Sequence, residues 1–292
     1  MRFGLVLFTS DRGITPACAA AAGERLGFGS FYVPEHTHIP VARHAAHPGT
    51  GDSALPDDRY LRTLDPWVAL ATAAAVTSRI LLGTAVAIPV EHDPITLAKT
   101  IATLDHLSGG RVRLGVGFGW NTDELADHGV PVGRRRTMLR EYLEAMRALW
   151  SEETARYEGE FVTVSPSWAW PKPVRGGSVP VVVGAAGTEK NLAWIVRSAD
   201  GWMTTPGESD IEASVAHLKQ LWSDARRQGR PEVVVLAGKP DPGQIERWRE
   251  LGVTEVVFGM PDRSESEVLA YLDRLAVKLD SSAPGWRLAR TP

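Results

Sequence analysis

Residues 31–40 read FYVPEHTHIP. Three β-formers, Phe31, Tyr32 and Val33, run into Pro34, which cannot donate to a sheet ladder, and Glu35, His36 and His38 follow at once. A carboxylate and two imidazoles past a strand end suit a divalent-metal site, an acid–base group in a cofactor pocket, or a solvated turn. A metal would need further His, Asp or Glu ligands from other strand ends. Beyond His128 the one remaining histidine is His217, within a helical segment, and two later strand-like runs end in Gly-Ala-Ala-Gly and Phe-Gly-Met-Pro. His44 and His47 fall in a long loop, where no rigid site is expected. Metal binding is the weakest of the three, and the expectation is no metal.

Other segments offer binding rather than acid–base chemistry. In VVVGAAGTEKNLAWIV an apolar run enters a small-residue turn and then a helix with Thr188 at its start. Exposed N–H groups there, reinforced by the helix dipole, would hold a phosphate; a tight turn that needs glycine is the alternative. LGTAVAIP and RLGVGFGWNTDE also place small residues at strand ends, where bare backbone lets a flat ring approach and Trp120 can form a wall. Packing at a barrel mouth would require the same residues. Arg134, Arg135 and Arg136 open a helix, where cations oppose the dipole, so either a local anion or a solvated helix start accounts for them.

Positioning such groups takes regular elements. Strand-like runs fall at 3–8, 30–33, 80–86, 112–116, 179–183, 201–204, 233–236 and 255–258, and helical segments at 15–26, 66–77, 94–107 and 134–150 separate several of them. Eight strands each followed by a helix imply a parallel sheet with crossovers. They predict a (β/α)8 TIM-like barrel with insertions at its C-terminal rim, one domain over residues 1–292. An open doubly wound sheet is the alternative, but the first turn lacks the GxGxxG fingerprint. Three segments, 34–65, 118–133 and 151–178, exceed ordinary loop length, and RYEGEFVTV in the third reads as a hairpin turning at Glu158-Gly159. In a barrel, chemistry gathers at the C-terminal strand ends, which selects Glu35 and His36, 85–89, 117–121 and 184–188.

Bulk composition excludes other classes. A net charge of −3 provides no footprint for nucleic acid or an anionic membrane, and no run approaches the roughly 20 apolar residues that span a bilayer. One cysteine, Cys18, excludes an internal disulfide and points to a reducing cytoplasm, and the start of the chain does not resemble a signal peptide.

Taken together, these segments resemble the luciferase-like monooxygenase superfamily, in its coenzyme F420-dependent oxidoreductase branch. Residues 80–124 carry most of the resemblance, and VPEHTHIP, RRRTMLREYLEAMRALW and SADGWMTT add to it. The resemblance implies a barrel that binds a flat tricyclic ring at its mouth, with His36 as the catalytic histidine. It implies cofactor contacts from Glu35, Ala85, Val86, Gly117 and Gly119, with a non-proline cis peptide at Ala85-Val86 backing the ring. It assigns the phosphate turn to Gly184, Ala185, Ala186, Gly187 and Thr188, and implies a homodimer. Sugar-phosphate dehydrogenases of the superfamily carry a glutamate where this chain has Trp120, so a more apolar substrate pocket is expected, with Trp120 and Trp168 in it. The implied function is hydride transfer between F420 and an unidentified small organic substrate. An FMN-dependent monooxygenase and a non-catalytic flavin or deazaflavin carrier are the rivals.

Overall fold

The computed structural model describes residues 1–287. In chain order the strands are β1 (Arg2–Leu7), β2 (Ser30–Val33), β3 (Leu81–Thr84), β4 (Val112–Gly117), β5 (Ala155–Glu158), β6 (Thr163–Ser167), β7 (Val181–Gly184), β8 (Gly201–Thr204), β9 (Glu232–Leu236) and β10 (Glu255–Met260). Eight of them close into a parallel barrel in the order β1-β2-β3-β4-β7-β8-β9-β10, and β10 pairs back onto β1. β5 and β6 form a separate antiparallel hairpin. The sequence-predicted (β/α)8 barrel is thus the observed one.

The helices are α1 (Pro16–Leu26), α2 (Pro66–Val76), α3 (Pro94–Ser108), α4 (Thr122–Asp127), α5 (Arg135–Ser151), α6 (Glu189–Ser198), α7 (Ile211–Asp224), α8 (Pro242–Leu251) and α9 (Glu265–Ser282). Four of them begin with Pro behind an oxygen-bearing cap: Thr15, Asp65, Asp93 and Asp241 each accept from a backbone N–H of the first turn. Proline gives up an N–H that had no partner there, and the cap satisfies another. Each of these helices starts where a strand or the loop after it has delivered the chain, so the caps fix where the rim ends and the outer ring begins.

Side-chain alternation separates two cores. Val181 and Val183 of β7 join the large cluster between sheet and helices, while Val182 points into the barrel with Tyr32, Met203, Val234 and Val257. Runs such as Val-Val-Val are what a strand buried on both faces requires. At the N-terminal end the interior is ionic. Glu255 is 0% exposed. It accepts from Arg113 Nη1 at 2.8 Å, Arg2 Nη1 at 3.1 Å and Tyr32 Oη at 3.3 Å, and also from Ser30 Oγ.

One strand is shorter than its sequence suggests. The apolar run 80–86 reads as strand throughout, but β3 stops at Thr84 and the Ala85-Val86 peptide is cis. The chain rejoins β4 at once, through Ala87 N–H to Gly115 O and Gly117 N–H to Ala87 O, both 2.8 Å.

Candidate active site

Past β2, Pro34 releases the chain from the ladder and His36 turns toward α4. Its Nδ1 lies 2.8 Å from Glu124 Oε2. Glu124 is 2% exposed and also accepts from Thr37 N at 2.9 Å and Asn121 Nδ2 at 3.2 Å. The His36 and Thr37 bonds hold its carboxyl below the usual carboxylate range, against the upward push of burial. A carboxylate partner places the Nδ1 proton on the Glu124 side, which leaves Nε2 to give or take a proton.

An aromatic cage surrounds that ring. His36 stands 5.7 Å from Trp120 and 5.5 Å from Tyr60, centroid to centroid. His47 meets Trp120 edge-on at 4.9 Å and its Nε2 lies 2.8 Å from Tyr60 Oη. The segment 34–65 therefore folds back over the strand ends and brings His47 and Tyr60 to Trp120, three residues past β4. Asp123 pins it there, accepting from the N–H groups of His44 and Ala45 at 3.0 and 2.9 Å. Below the cage, Val6, Ala85, Val86 and Leu236 are partly exposed and pack on the interior core, giving an apolar floor.

On the other side of the mouth lies the turn before α6. Thr188 Oγ1 caps α6 by accepting from Asn191 N. Arg136 of α5 reaches this corner: its Nη2 donates to Asn191 Oδ1 at 2.7 Å and its guanidinium lies 4.2 Å from the Phe118 ring centroid. Asn191 Nδ2 in turn donates to Ala186 O at 2.8 Å. Arg136 Nη1 is buried without a hydrogen-bond partner among the described residues.

A family model described as luciferase-like monooxygenase matches residues 15–287. The chain belongs to the luciferase-like monooxygenase family. An uncharacterized protein of Mycobacterium tuberculosis is 70% identical over 279 residues, 96% of this chain and 99% of the relative. An F420-dependent glucose-6-phosphate dehydrogenase of Segniliparus rotundus is 29% identical over 290 residues, 93% of this chain and 79% of the relative. Among solved structures, an F420-dependent secondary alcohol dehydrogenase in complex with an F420-acetone adduct superposes with a TM-score of 0.71 at 18% identity, covering 98% of this chain and 99% of the other. At that identity the likeness concerns the fold. Membership in the luciferase-like family makes this chain an oxidoreductase by class.

Several residues of this luciferase-like chain stand differently from the sequence expectation. Glu35 does not face the mouth: it is 3% exposed, and its oxygens accept from Ile88 N at 2.6 Å and His92 Nε2 at 2.8 Å. It is a strut between β2 and the bulge after β3. Gly117 and Gly184 leave room for the Val86 side chain, which a Cβ at either would meet at 2.7 Å, so the bare backbone there serves packing. Gly119 has a φ of +74°, a left-handed conformation that favours glycine. In the turn, the N–H groups of Ala185, Gly187 and Thr188 are taken by Met203 O, Ser209 Oγ and Ala186 O, so an anion has fewer free amides than the sequence suggested. Trp168 is 79% exposed and lines a groove of about 620 Å³ with Ile95, Thr96 and Lys99 of α3, outside the barrel. It does not join Trp120. Among the described residues no group of three or more His, Cys, Asp or Glu is arranged to hold a metal, and His38 turns away to Asp127 Oδ2 at 3.0 Å.

Proposed function

We propose that the protein is an F420-dependent oxidoreductase that moves a hydride between the deazaflavin and a small, uncharged organic substrate. The observation that carries this is His36, oriented by buried Glu124 and walled by Trp120 and Tyr60, above the apolar floor at Ala85-Val86. The names of the Segniliparus and alcohol-dehydrogenase relatives support the choice of cofactor.

The residues fit such a group at both ends. The floor of Val6, Ala85, Val86 and Leu236 is apolar, as the face of a tricyclic ring requires. The corner between Arg136, Ala186 and the first turn of α6 suits its phosphate: Arg136 Nη1 lacks a partner there, and the helix dipole has the right sign. When bound, a deazaflavin supplies two-electron hydride chemistry. The chain supplies the rest. Arg136 and α6 fix the anionic end, segment 34–65 keeps water from the mouth, and His36 exchanges the substrate proton at Nε2, while its Nδ1–H stays on Glu124. Trp120 puts an indole rather than a carboxylate at that position of the pocket wall, which favours an uncharged molecule over a sugar phosphate.

The test is a titration of the purified protein with F420 and with FMN. F420 is expected to bind tighter, and Arg136→Ala to weaken it by about 10- to 100-fold, the loss expected for a charged hydrogen-bond donor. Tighter FMN binding would transfer the reading to a flavin monooxygenase. Binding of F420 unaffected by Arg136→Ala would move the phosphate elsewhere. Gly187→Asp is the poorer probe, because a Cβ there meets Ser214 Oγ at 2.1 Å.

We also infer a homodimer across the outer faces of α2 and α3. α2 carries no charged residue, and Val68 and Val76 on it are 66% and 53% exposed, with Ile95 and Leu107 of the adjoining α3 at 45% and 75%. No helix among the described residues is long and apolar enough to cross a membrane; with Cys18 its one cysteine, the proposed location is the cytoplasm.

A further inference from the structure

Glu91 ends the 3-10 turn Pro89–Glu91, between the Ala85-Val86 bulge and His92. Two carboxylates face it, Glu124 from α4 and Glu35 from the end of β2. Each of those is supplied with N–H donors: His36, Thr37 and Asn121 for Glu124, and Ile88 and His92 for Glu35. Glu91 has none. Its Oε2 is buried without a hydrogen-bond partner among the described residues.

Among the described residues, no cation of the helices packed on the same turn pairs with Glu91. α3 begins behind Asp93, an acid that caps its own helix. α5 begins with three arginines, but Arg134 pairs with Glu160, Arg135 Nη1 donates to Val132 O, and Arg136 is held by Asn191. The remaining titratable groups around the two carboxylates are His36, His92 and His128. Negative charge on Glu124 and Glu35 opposes ionisation of a half-buried carboxyl, and the proton stays on Glu91, whose Oε2 has no donor among the described residues. Burial first, then Glu124 and Glu35, push Glu91 up to about 9.

We propose that Glu91 is a positioning residue of this site, a resident carboxylic acid that sets the charge felt by His36 through Glu124. While Glu91 keeps its proton, Glu124 and Glu35 are the anions facing the two histidines. When the proton leaves in alkaline solution, a third negative charge appears beside Glu124, and the protons on His36 and His92 are held more firmly. His36 then gives up its proton less readily, and turnover falls in the direction in which it is the donor, substrate reduction. This consequence rests on the reading of His36 as the proton-handling group; the charge coupling itself does not.

The experiment is therefore made first without cofactor or substrate. Histidine ring signals of the apo protein are followed by NMR from pH 5 to 10, with His36→Asn and His92→Asn to assign them. The wild type is expected to show a separate step near pH 9 in both rings, and Glu91→Gln to lose it. Glu91→Asp, which keeps a titrating group, should show the step at a shifted pH, and it covers the case in which the amide variant does not fold. A wild type without the alkaline step, or a step that persists in Glu91→Gln, overturns the proposal whatever the cofactor. In the loaded enzyme, kcat for substrate reduction should fall near pH 9, and that fall should vanish in Glu91→Gln. An unchanged fall overturns the positioning role and leaves the hydride-transfer reading standing.

Discussion

A histidine tied by one nitrogen to a buried carboxylate has its ring direction and tautomer set together, so its other nitrogen can be aimed. His36 is in that condition. His36→Ala is expected to lower turnover by ~10²–10⁴-fold while cofactor affinity changes far less, measured by steady-state rates beside the F420 titration. His36→Asn should be nearly as slow, since an amide keeps a hydrogen bond but has no useful proton. Full activity in both would end the catalytic role. The neighbouring charges also predict how the fold responds to pH. His92 is raised above its ordinary range because the Glu35 bond outweighs burial, so its contribution is complete below the unfolded imidazole pKa and fades as pH climbs through the folded one. Glu91, protonated in the fold but ionised in the unfolded chain, likewise makes stability fall between about 4.5 and about 9. The urea midpoint should therefore be lower at pH 9 than at pH 6, and Glu91→Gln should flatten the decline. His36 was legible because a strand end followed by acid and histidine is a local pattern. Its partner was not: Glu124 lies 88 residues away, and an acid in the first turn of a helix reads as a complement to the dipole.

At the scale of elements, strands and helices were readable because each has its own period and its own punctuation. The runs 30–33 and 201–204 coincide with β2 and β8, and the Asp-Pro and Thr-Pro pairs mark helix starts. What periodicity does not encode is where a long segment lies. Segment 34–65 looked like a loop unfit for a rigid site, yet Asp123 binds its backbone, Arg12 reaches Asp58 and Arg62 reaches Asp11. Those contacts bury His47 to 8% and deliver Tyr60 to the cage. The ionic cluster inside the barrel was equally hidden, since Arg2, Ser30, Tyr32, Arg113 and Glu255 come from four strands. Glu255→Ala would leave Arg113 buried with one carboxylate, Glu232 at 2.8 Å, which burial draws toward its neutral form. A loss of about 3–5 kcal/mol in urea unfolding is expected, the usual result of removing one member of a buried pair. A loss below about 1 kcal/mol would show that the cluster relaxes without it.

The molecule as a whole shows two faces that a sequence cannot place. The exposed apolar residues of α2 and α3, Val68, Val76, Ile95 and Leu107, come side by side only once the helices are packed. Sedimentation equilibrium is expected to give twice the mass of the chain, and Val68→Asp with Leu107→Asp to halve it. A wild-type monomer would dismiss the pairing. Trp168, in the groove against α3, belongs to this outer flank, which explains why composition alone could not assign it. The other face is the barrel mouth, and the cluster around Glu255 has a consequence for it. With charges filling the opposite end, the barrel is a well with a single doorway. Whatever settles on its floor must enter before whatever lies above it, and must leave after. For a ring on Ala85-Val86 and a substrate beneath the cage, this makes the itinerary ordered: cofactor first in, last out, with the substrate changing over a seated ring.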